Sequence, residues 1–215
     1  MALESKGKRI VLFEDEAGFS LHPKLGRVWA KKGSKPFVYT RSQHQKRLNI
    51  YGWVDPINGL HGIMKWISGN TDGFIQLLRK ITYRLKGKTI NIWVDNAKWH
   101  KGRRVETFLA EHSFLQVHYL PAYHPELNYQ ECLWRTLRYE ETTNVYFETF
   151  ADLNKAVFKR SQRWKPTKIN NYVNLVRTFT IIHFRGIMLH LTTFRTSFSK
   201  LASKTSFTNK GLEML

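Results

Sequence analysis

Short hydrophobic runs alternate with polar stretches along the first 165 residues, and their order predicts an α/β fold. The runs with the length and β-branched content of strands are residues 9–13, 48–54, 60–67, 89–94 and 115–120. Turn residues predict two hairpins, one at Asn58-Gly59 and one around residues 31–34 within the stretch 26–38. Apolar residues at helical spacing follow within 74–85, 105–109 and 133–137, and Thr149 opens a last helix as a capping box with Asp152. Strands first and alternating helices and strands afterwards predict a mixed sheet flanked by helices.

The charge balance points to a polyanionic partner. The chain has 215 residues, of which 35 are Lys or Arg and 16 are Asp or Glu, so its formal net charge is +19. Nucleic acid is the commonest polyanion that such a surface binds. Neither a stretch of roughly 18 apolar residues nor a signal peptide occurs, so we expect no membrane partner and a cytoplasmic location.

Metal and disulfide chemistry based on cysteine is excluded, because Cys132 is the only cysteine. Zinc is not indicated by the histidines either, since neither HxH nor HExxH occurs.

The composition changes after about Lys165. Acidic residues are absent from there to Glu213, and Ser and Thr accumulate between 192 and 208. We therefore divide the chain into a domain at 1–165 and a tail at 166–215, which we expect to be poorly packed or flexible.

Three carboxylates stand where an α/β fold places its ligand crevice. Asp15 and Asp95 each follow a hydrophobic run, and Glu131 falls near the start of a helix. Carboxylates from two strand ends and a helix start are hard ligands that could hold Mg²⁺. Two such ions clamp the attacking and leaving oxygens of a phosphoryl displacement.

Each carboxylate also has a purely structural explanation. The dipeptide Asp95-Asn96 could form a simple turn after a strand. Glu131 could complete a capping box with Asn128, three residues before it. The run from Glu14 to Glu16 could be a solvated acidic turn. Their joint occurrence in so basic a chain favours the metal site.

Three ordered segments resemble the signatures of the DDE transposases, in the branch of mariner-like bacterial insertion sequences. They are FEDEAGF at 13–19, WVDNAKWH at 93–100 and LPAYHPELNYQECLW at 120–134. Thirty-five residues separate Asp95 from Glu131, close to the spacing of that branch. The similarity covers about residues 10–165.

The resemblance implies an RNase H-like fold in which Asp15, Asp95 and Glu131 are the catalytic residues and metal ligands, with two Mg²⁺ or Mn²⁺ ions. Glu16 follows the first aspartate as in relatives and is not a carried-over ligand. The implied reaction is cleavage of double-stranded DNA at the ends of the element, followed by strand transfer into target DNA, with assembly as a homodimer. Asn96 and His100 correspond to second-shell or DNA-facing positions, although His100 could equally be a surface histidine.

Two features depart from the family pattern. Relatives have proline where this chain has Tyr129, and losing a proline at the first helical position loosens the helix start. The N-terminal helix-turn-helix region of such transposases is absent before Arg9. We therefore expect a DNA-binding region that is separately encoded or joined by frameshifting.

Basic residues near the predicted site are the candidates for DNA contact. They lie in two stretches, each of which contains no acidic residue. The candidates are Lys31, Lys32, Lys35, Arg41, Lys98, Lys101, Arg103 and Arg104. Two alternatives remain open at this point: an inactive or domesticated remnant that binds DNA without cutting it, and an RNase H-like nuclease without strand transfer.

Overall fold

The computed structural model describes residues 9–40 and 47–173, which contain one five-stranded mixed sheet and the helices packed on it. The strands are β1 (Arg9–Ser20), β2 (Arg47–Val54), β3 (His61–Trp66), β4 (Thr89–Val94) and β5 (Leu115–Tyr119). The helices are α1 (Thr71–Arg84), α2 (Arg103–Ala110), α3 (Tyr129–Leu137) and α4 (Phe150–Gln162). Short helical turns occupy Lys98–His100, Pro125–Leu127 and Arg138–Thr142.

The sheet has the order β3-β2-β1-β4-β5, and its two halves differ in direction. β1, β2 and β3 pair antiparallel, whereas β4 and β5 run parallel to β1. The turn between β2 and β3 confirms the hairpin at Asn58-Gly59. Asp55 Oδ1 accepts hydrogen bonds from the backbone of Ile57 and Asn58, and Gly59 adopts a φ of 69°, which glycine tolerates without strain. The mixed sheet flanked by helices that the sequence predicts is confirmed.

Helices cover both faces of the sheet and bury two separate cores. On one face, α1 and α2 pack Phe74, Ile81 and Phe108 against Leu12 and other residues of β1 and β4. On the other face, α3 and α4 pack against β1 and β2 through side chains that include Leu133, Trp134, Leu137, Leu153 and Val157. Each fully buried side chain of this size contributes about 1.5–3 kcal/mol through removal from water. The sheet is therefore a rigid layer on which residues of β1 and β4 hold fixed positions.

Three local predictions differ from the structure. The hairpin predicted within 26–38 is wrong: a turn bond joins Ser34 N to Lys31 O at 2.9 Å, but no strand forms in residues 25–40. The first strand continues past Phe13 to Ser20, so Asp15 lies within β1 and not at its end. Residues 166–173 lie beyond the predicted boundary at 165 but are helical. Ile169 and Val173 of this segment are buried in the same core as the apolar residues of α4. The rest of the predicted tail lies outside the described residues.

Within the described ranges, no helix is long and apolar enough to cross a bilayer.

Candidate functional site

The register between β1 and β4 sets two of the predicted carboxylates side by side. Arg9 pairs with Thr89 and Phe13 with Trp93, and continuing this parallel register by two residues brings Asp15 level with Asp95. The side chains of odd-numbered β1 residues point towards α3, because alternate residues of a strand face opposite sides of the sheet. Asp15 therefore lies on the face that α3 covers.

Helix α3 brings the third predicted carboxylate towards the same place. Asn128 caps this helix, since its Oδ1 accepts from Gln130 N at 3.1 Å. The Nδ2 of Asn128 donates to the backbone oxygen of Glu14 at 2.7 Å, which ties the helix start to β1. No hydrogen bond returns from the Glu131 carboxylate to the Asn128 N–H in the described part of the chain, so the capping-box explanation for Glu131 is wrong. The start of α3 is fixed by these contacts despite Tyr129 standing in place of proline.

Asp15 and Asp95 lie close together, but the third carboxylate of their group is Glu16 and not the predicted Glu131. One oxygen each from Asp15, Glu16 and Asp95 lies within 4.8 Å of the others. Burial raises the pKa of Asp15 well above its usual range, and the neighbouring charge of Glu131 raises it further. Oδ2 of Asp15 is buried without a hydrogen-bond partner. A cation between these groups would compensate the repulsion that this arrangement carries.

A second group shares Glu16 with the first and adds Glu14 and His100. His100 is fully buried, and its Nδ1 lies 2.9 Å from Asp95 Oδ1. Its Nε2 lies 3.3 Å from Glu16 Oε1 and 3.6 Å from Glu14 Oε2. Burial alone would lower the pKa of His100, but hydrogen bonds to Asp95 and Glu16 raise it to about 10. The interpretation of His100 as a surface histidine is therefore wrong.

Asp95 and Asn96 are held in place by contacts to neighbouring segments. The hydrogen bond with His100 lowers the pKa of Asp95. The Asp95 side chain is also 51% exposed, and its carboxylate is therefore ionised at neutral pH. Asn96 Nδ2 donates to Leu120 O at 2.6 Å, and Asn96 Oδ1 accepts from Lys101 Nζ at 2.8 Å. These bonds join the ends of β4 and β5, so the loop that carries Asp95 is braced from both sides. The sequence-based roles of Asn96 and His100 stay predictions.

The predicted DNA-contacting residues lie in two places on the surface. Lys31, Lys32 and Lys35 are exposed in the irregular segment between β1 and β2, and Arg41 lies outside the described residues. The others are exposed between the end of β4 and the first turn of α2, where they follow Asp95 in the chain, and they are Lys98, Lys101, Arg103 and Arg104. Arg104 also forms an ion pair with Asp72. No contact with DNA is part of this structure, so these residues stay predictions.

Sequence inspection missed the burial of Glu14. It lies on the β1 face that carries Leu12 and is completely buried. The alternation of β1 would have signalled this, because Glu14 and Glu16 occupy the same face as Leu12 once the strand is extended beyond Phe13.

Comparisons with known proteins agree with this geometry. The family described as DDE superfamily endonuclease matches residues 10–154. The insertion element IS630 uncharacterized 39 kDa protein of Shigella sonnei is 33% identical over 159 residues, which are 72% of this chain and 45% of that protein. The chain thus spans less than half the length of this relative.

Solved structures share the fold at low sequence identity. The Mos1 mariner paired-end complex with Mn matches with a TM-score of 0.60 at 16% identity, covering 77% of this chain and 52% of that one. The catalytic domain of Mos1 mariner transposase matches with a TM-score of 0.54 at 14% identity, covering 77% of this chain and 76% of that one.

Proposed function

Because the chain belongs to the DDE superfamily endonuclease family, we propose that it is the catalytic domain of a transposase that cuts the ends of a mobile element and joins them to target DNA. The observation that carries this proposal is the register of β1 and β4, which sets Asp15 level with Asp95 while α3 brings the charge of Glu131 to the same place. An insertion-element protein is a sequence relative of the chain. The chain also shares its fold with the Mos1 mariner transposase.

The carboxylates fit a divalent metal centre. We propose that Asp15, Asp95 and Glu131 hold two Mg²⁺ or Mn²⁺ ions, and the crowded, partly buried carboxyl of Asp15 supports this. Oxygen ligands from a few carboxylates are what Mg²⁺ prefers in proteins that act on phosphates. Such ions, when bound, act as Lewis acids on the scissile phosphate and its attacking and leaving oxygens. Structures of the fold relative Mos1 with Mn and with Mg support the same choice of metal.

The surrounding residues act by positioning. His100 holds the Asp95 carboxylate by its Nδ1 at 2.9 Å, and Asn96 fastens the same loop to β5. Asn128 holds the start of α3 against β1, which fixes the distance from Glu131 to Asp15. Pre-set ligands of this kind lose little entropy when the reacting groups assemble.

The basic surface is the proposed DNA contact. With a net charge of +19, the chain would bind the phosphates of double-stranded DNA, at both element ends and target, through the exposed Lys and Arg residues between β1 and β2 and after β4. The fold relative Mos1 transposase has been solved as a paired-end complex with the left transposon end, and we propose that this chain likewise works as a homodimer on two ends. Recognition of those ends would come from a further DNA-binding region, separately encoded or fused by frameshifting.

A nicking and strand-transfer assay tests the proposal. Supercoiled DNA and a labelled 3′-hydroxyl end duplex are incubated with Mn²⁺ and the full chain, the Asp95→Asn variant, or Glu148→Gln, which changes an exposed carboxylate before α4. We expect nicks and joined products from the wild type and Glu148→Gln, and none from Asp95→Asn. Absence of products from both the wild type and Asp95→Asn would identify a DNA-binding remnant, whereas nicks without joined products would identify a plain nuclease.

A further inference from the structure

The buried face of β1 carries a carboxylate that the proposed DNA chemistry does not use. Glu14 is completely buried, and neither of its carboxylate oxygens has a hydrogen-bond partner. Glu14, Glu16 and His100 each offer one atom, and these three atoms lie within 4.8 Å of one another. The nearest cationic group to Glu14 is His100, whose Nε2 lies 3.6 Å from Oε2, beyond hydrogen-bond distance. Burying a carboxylate without hydrogen bonds is costly, so a bound cation would compensate it more fully.

The distances in the group do not fit direct hydrogen bonds from His100 to both glutamates. Charge-assisted N–H···O bonds are about 2.7–2.9 Å long, which matches the 2.9 Å between Nδ1 and Asp95. On its other side, Nε2 lies 3.3 Å from Glu16 Oε1 and 3.6 Å from Glu14 Oε2. Two ligands bound about 2.1 Å from a tetrahedral metal lie about 3.4 Å apart. The hydrogen bond from His100 to Glu16 is thus long and Glu14 receives none, and both spacings also fit neighbouring ligands around a cation.

The surroundings also match the second shell of a metal site. A histidine that binds metal through one ring nitrogen usually donates its other N–H to a carboxylate, which fixes the ring, and Nδ1 of His100 meets Asp95 in this way. Trp99 Nε1 donates to Glu16 Oε1 at 2.7 Å and orients that carboxylate. The ring of Phe74 packs 4.4 Å from the imidazole and closes the pocket on its apolar side.

We propose that Glu14, Glu16 and His100 bind one divalent cation of the zinc type in a buried site next to the carboxylates of Asp15 and Asp95. Imidazole nitrogen with two carboxylates suits Zn²⁺ better than Mg²⁺, which prefers oxygen ligands and water. Binding requires the Nε2 proton of His100 to leave, and the cation then compensates Glu14 and Glu16 in its place. The site would fasten the turn at Lys98–His100 to β1, and through His100 it would hold Asp95. A search for local zinc motifs cannot find it, because His100 lies 84 positions after Glu16 in the chain.

Zinc binding to the metal-stripped full chain, measured by calorimetry in excess Mg²⁺ and without DNA, tests this proposal independently of DNA cleavage. Three variants are compared with the wild type: Glu14→Gln removes a ligand, Trp99→Phe removes an orienting donor, and Asp15→Asn changes a neighbouring carboxylate that is not a proposed zinc ligand. We expect one Zn²⁺ per chain in the wild type and in Asp15→Asn. We expect an affinity about 10–100-fold lower in Trp99→Phe, and a larger loss in Glu14→Gln.

Two outcomes would overturn the proposal. One is that the wild type binds no Zn²⁺ in excess Mg²⁺, and the other is that Glu14→Gln binds it as tightly as the wild type. If Glu14→Gln does not fold by circular dichroism, X-ray absorption at the zinc edge of the loaded wild type decides. One imidazole nitrogen with carboxylate oxygens supports the site, and a shell with several histidines or without nitrogen refutes it.

Discussion

Glu140 joins three helical segments through one carboxylate, and replacing it by glutamine tests how much this junction stabilises the fold. Oε2 accepts hydrogen bonds from Arg160 Nε at 2.6 Å and Trp164 Nε1 at 3.3 Å. Oε1 accepts from Tyr172 OH at 2.9 Å and pairs with Lys168 Nζ at 3.4 Å. The turn Arg138–Thr142, helix α4 and residues 166–173 therefore meet at this side chain.

The magnitude follows from the pKa of Glu140. Partial burial acts to raise this pKa, but the hydrogen bonds from its donors outweigh burial and lower it from 4.5 to about 2. At about 1.4 kcal/mol per pKa unit, the difference corresponds to at most about 3 kcal/mol. Because the Glu140 side chain remains 16% exposed and that of Arg160 26% exposed, solvent screening reduces the expected contribution to about 1–2 kcal/mol.

The sign of the pH dependence is fixed by the direction of this change. A carboxyl with a lower pKa in the folded state contributes stability above its unfolded pKa of about 4.5, and the contribution is lost as the pH falls towards about 2. Urea unfolding of the wild type and Glu140→Gln should differ by about 1–2 kcal/mol at neutral pH, and the difference should shrink below about pH 4.5. The exposed control Glu148→Gln should stay within about 0.5 kcal/mol. A Glu140→Gln effect that is constant with pH, or no larger than that of the control, would refute the argument.

Three further predictions concern packing, capping and charge. Gly52→Ala should destabilise the fold by about 1–3 kcal/mol in urea unfolding, because the new Cβ would lie 2.5 Å from the Trp134 ring. Unchanged stability would show that α3 can shift away from β2 without cost. Thr149→Ala breaks the capping box of α4 and should cost about 1 kcal/mol, whereas a loss under a few tenths would mean that packing alone sets the start of α4. Binding to random duplex DNA should weaken steeply with salt, and the slope of log K against log salt should fall by about 0.9 for each phosphate contact removed. The variant to test replaces Lys31, Lys32 and Lys35 of the segment before β2 by alanine. An unchanged slope in this variant would exclude these lysines as phosphate contacts.

The parts of the fold that depend on local pattern could be predicted from the sequence. Apolar runs with strand composition marked the strands, and Asn58-Gly59 marked the hairpin between β2 and β3. Asp15 and Asp95 could be placed together because neighbouring parallel strands bring equivalent positions to the same level. The capping box at Thr149 is likewise a local signal and is confirmed.

The parts that depend on tertiary contacts could not be predicted. Residues 26–38 have turn chemistry but no partner strand, and Trp29 within them is fully exposed. The group of Glu14, Glu16 and His100 forms only because β1 continues beyond Phe13 and the turn at Lys98–His100 folds over it. The Glu140 junction needs Tyr172, which lies beyond the predicted boundary at 165.

Diffraction from Mn²⁺-soaked crystals at the manganese absorption edge shows whether Asp15, Asp95 and Glu131, which are distant in sequence, bind divalent metal beside β1 and the end of β4. We expect an anomalous peak bound by Asp15 and Asp95, with the Glu131 carboxylate beside it. The same peak should be missing in crystals of Asp95→Asn. A map of the wild type without a peak between Asp15 and Asp95, or with Glu131 turned away from it, would show that these carboxylates do not share a metal.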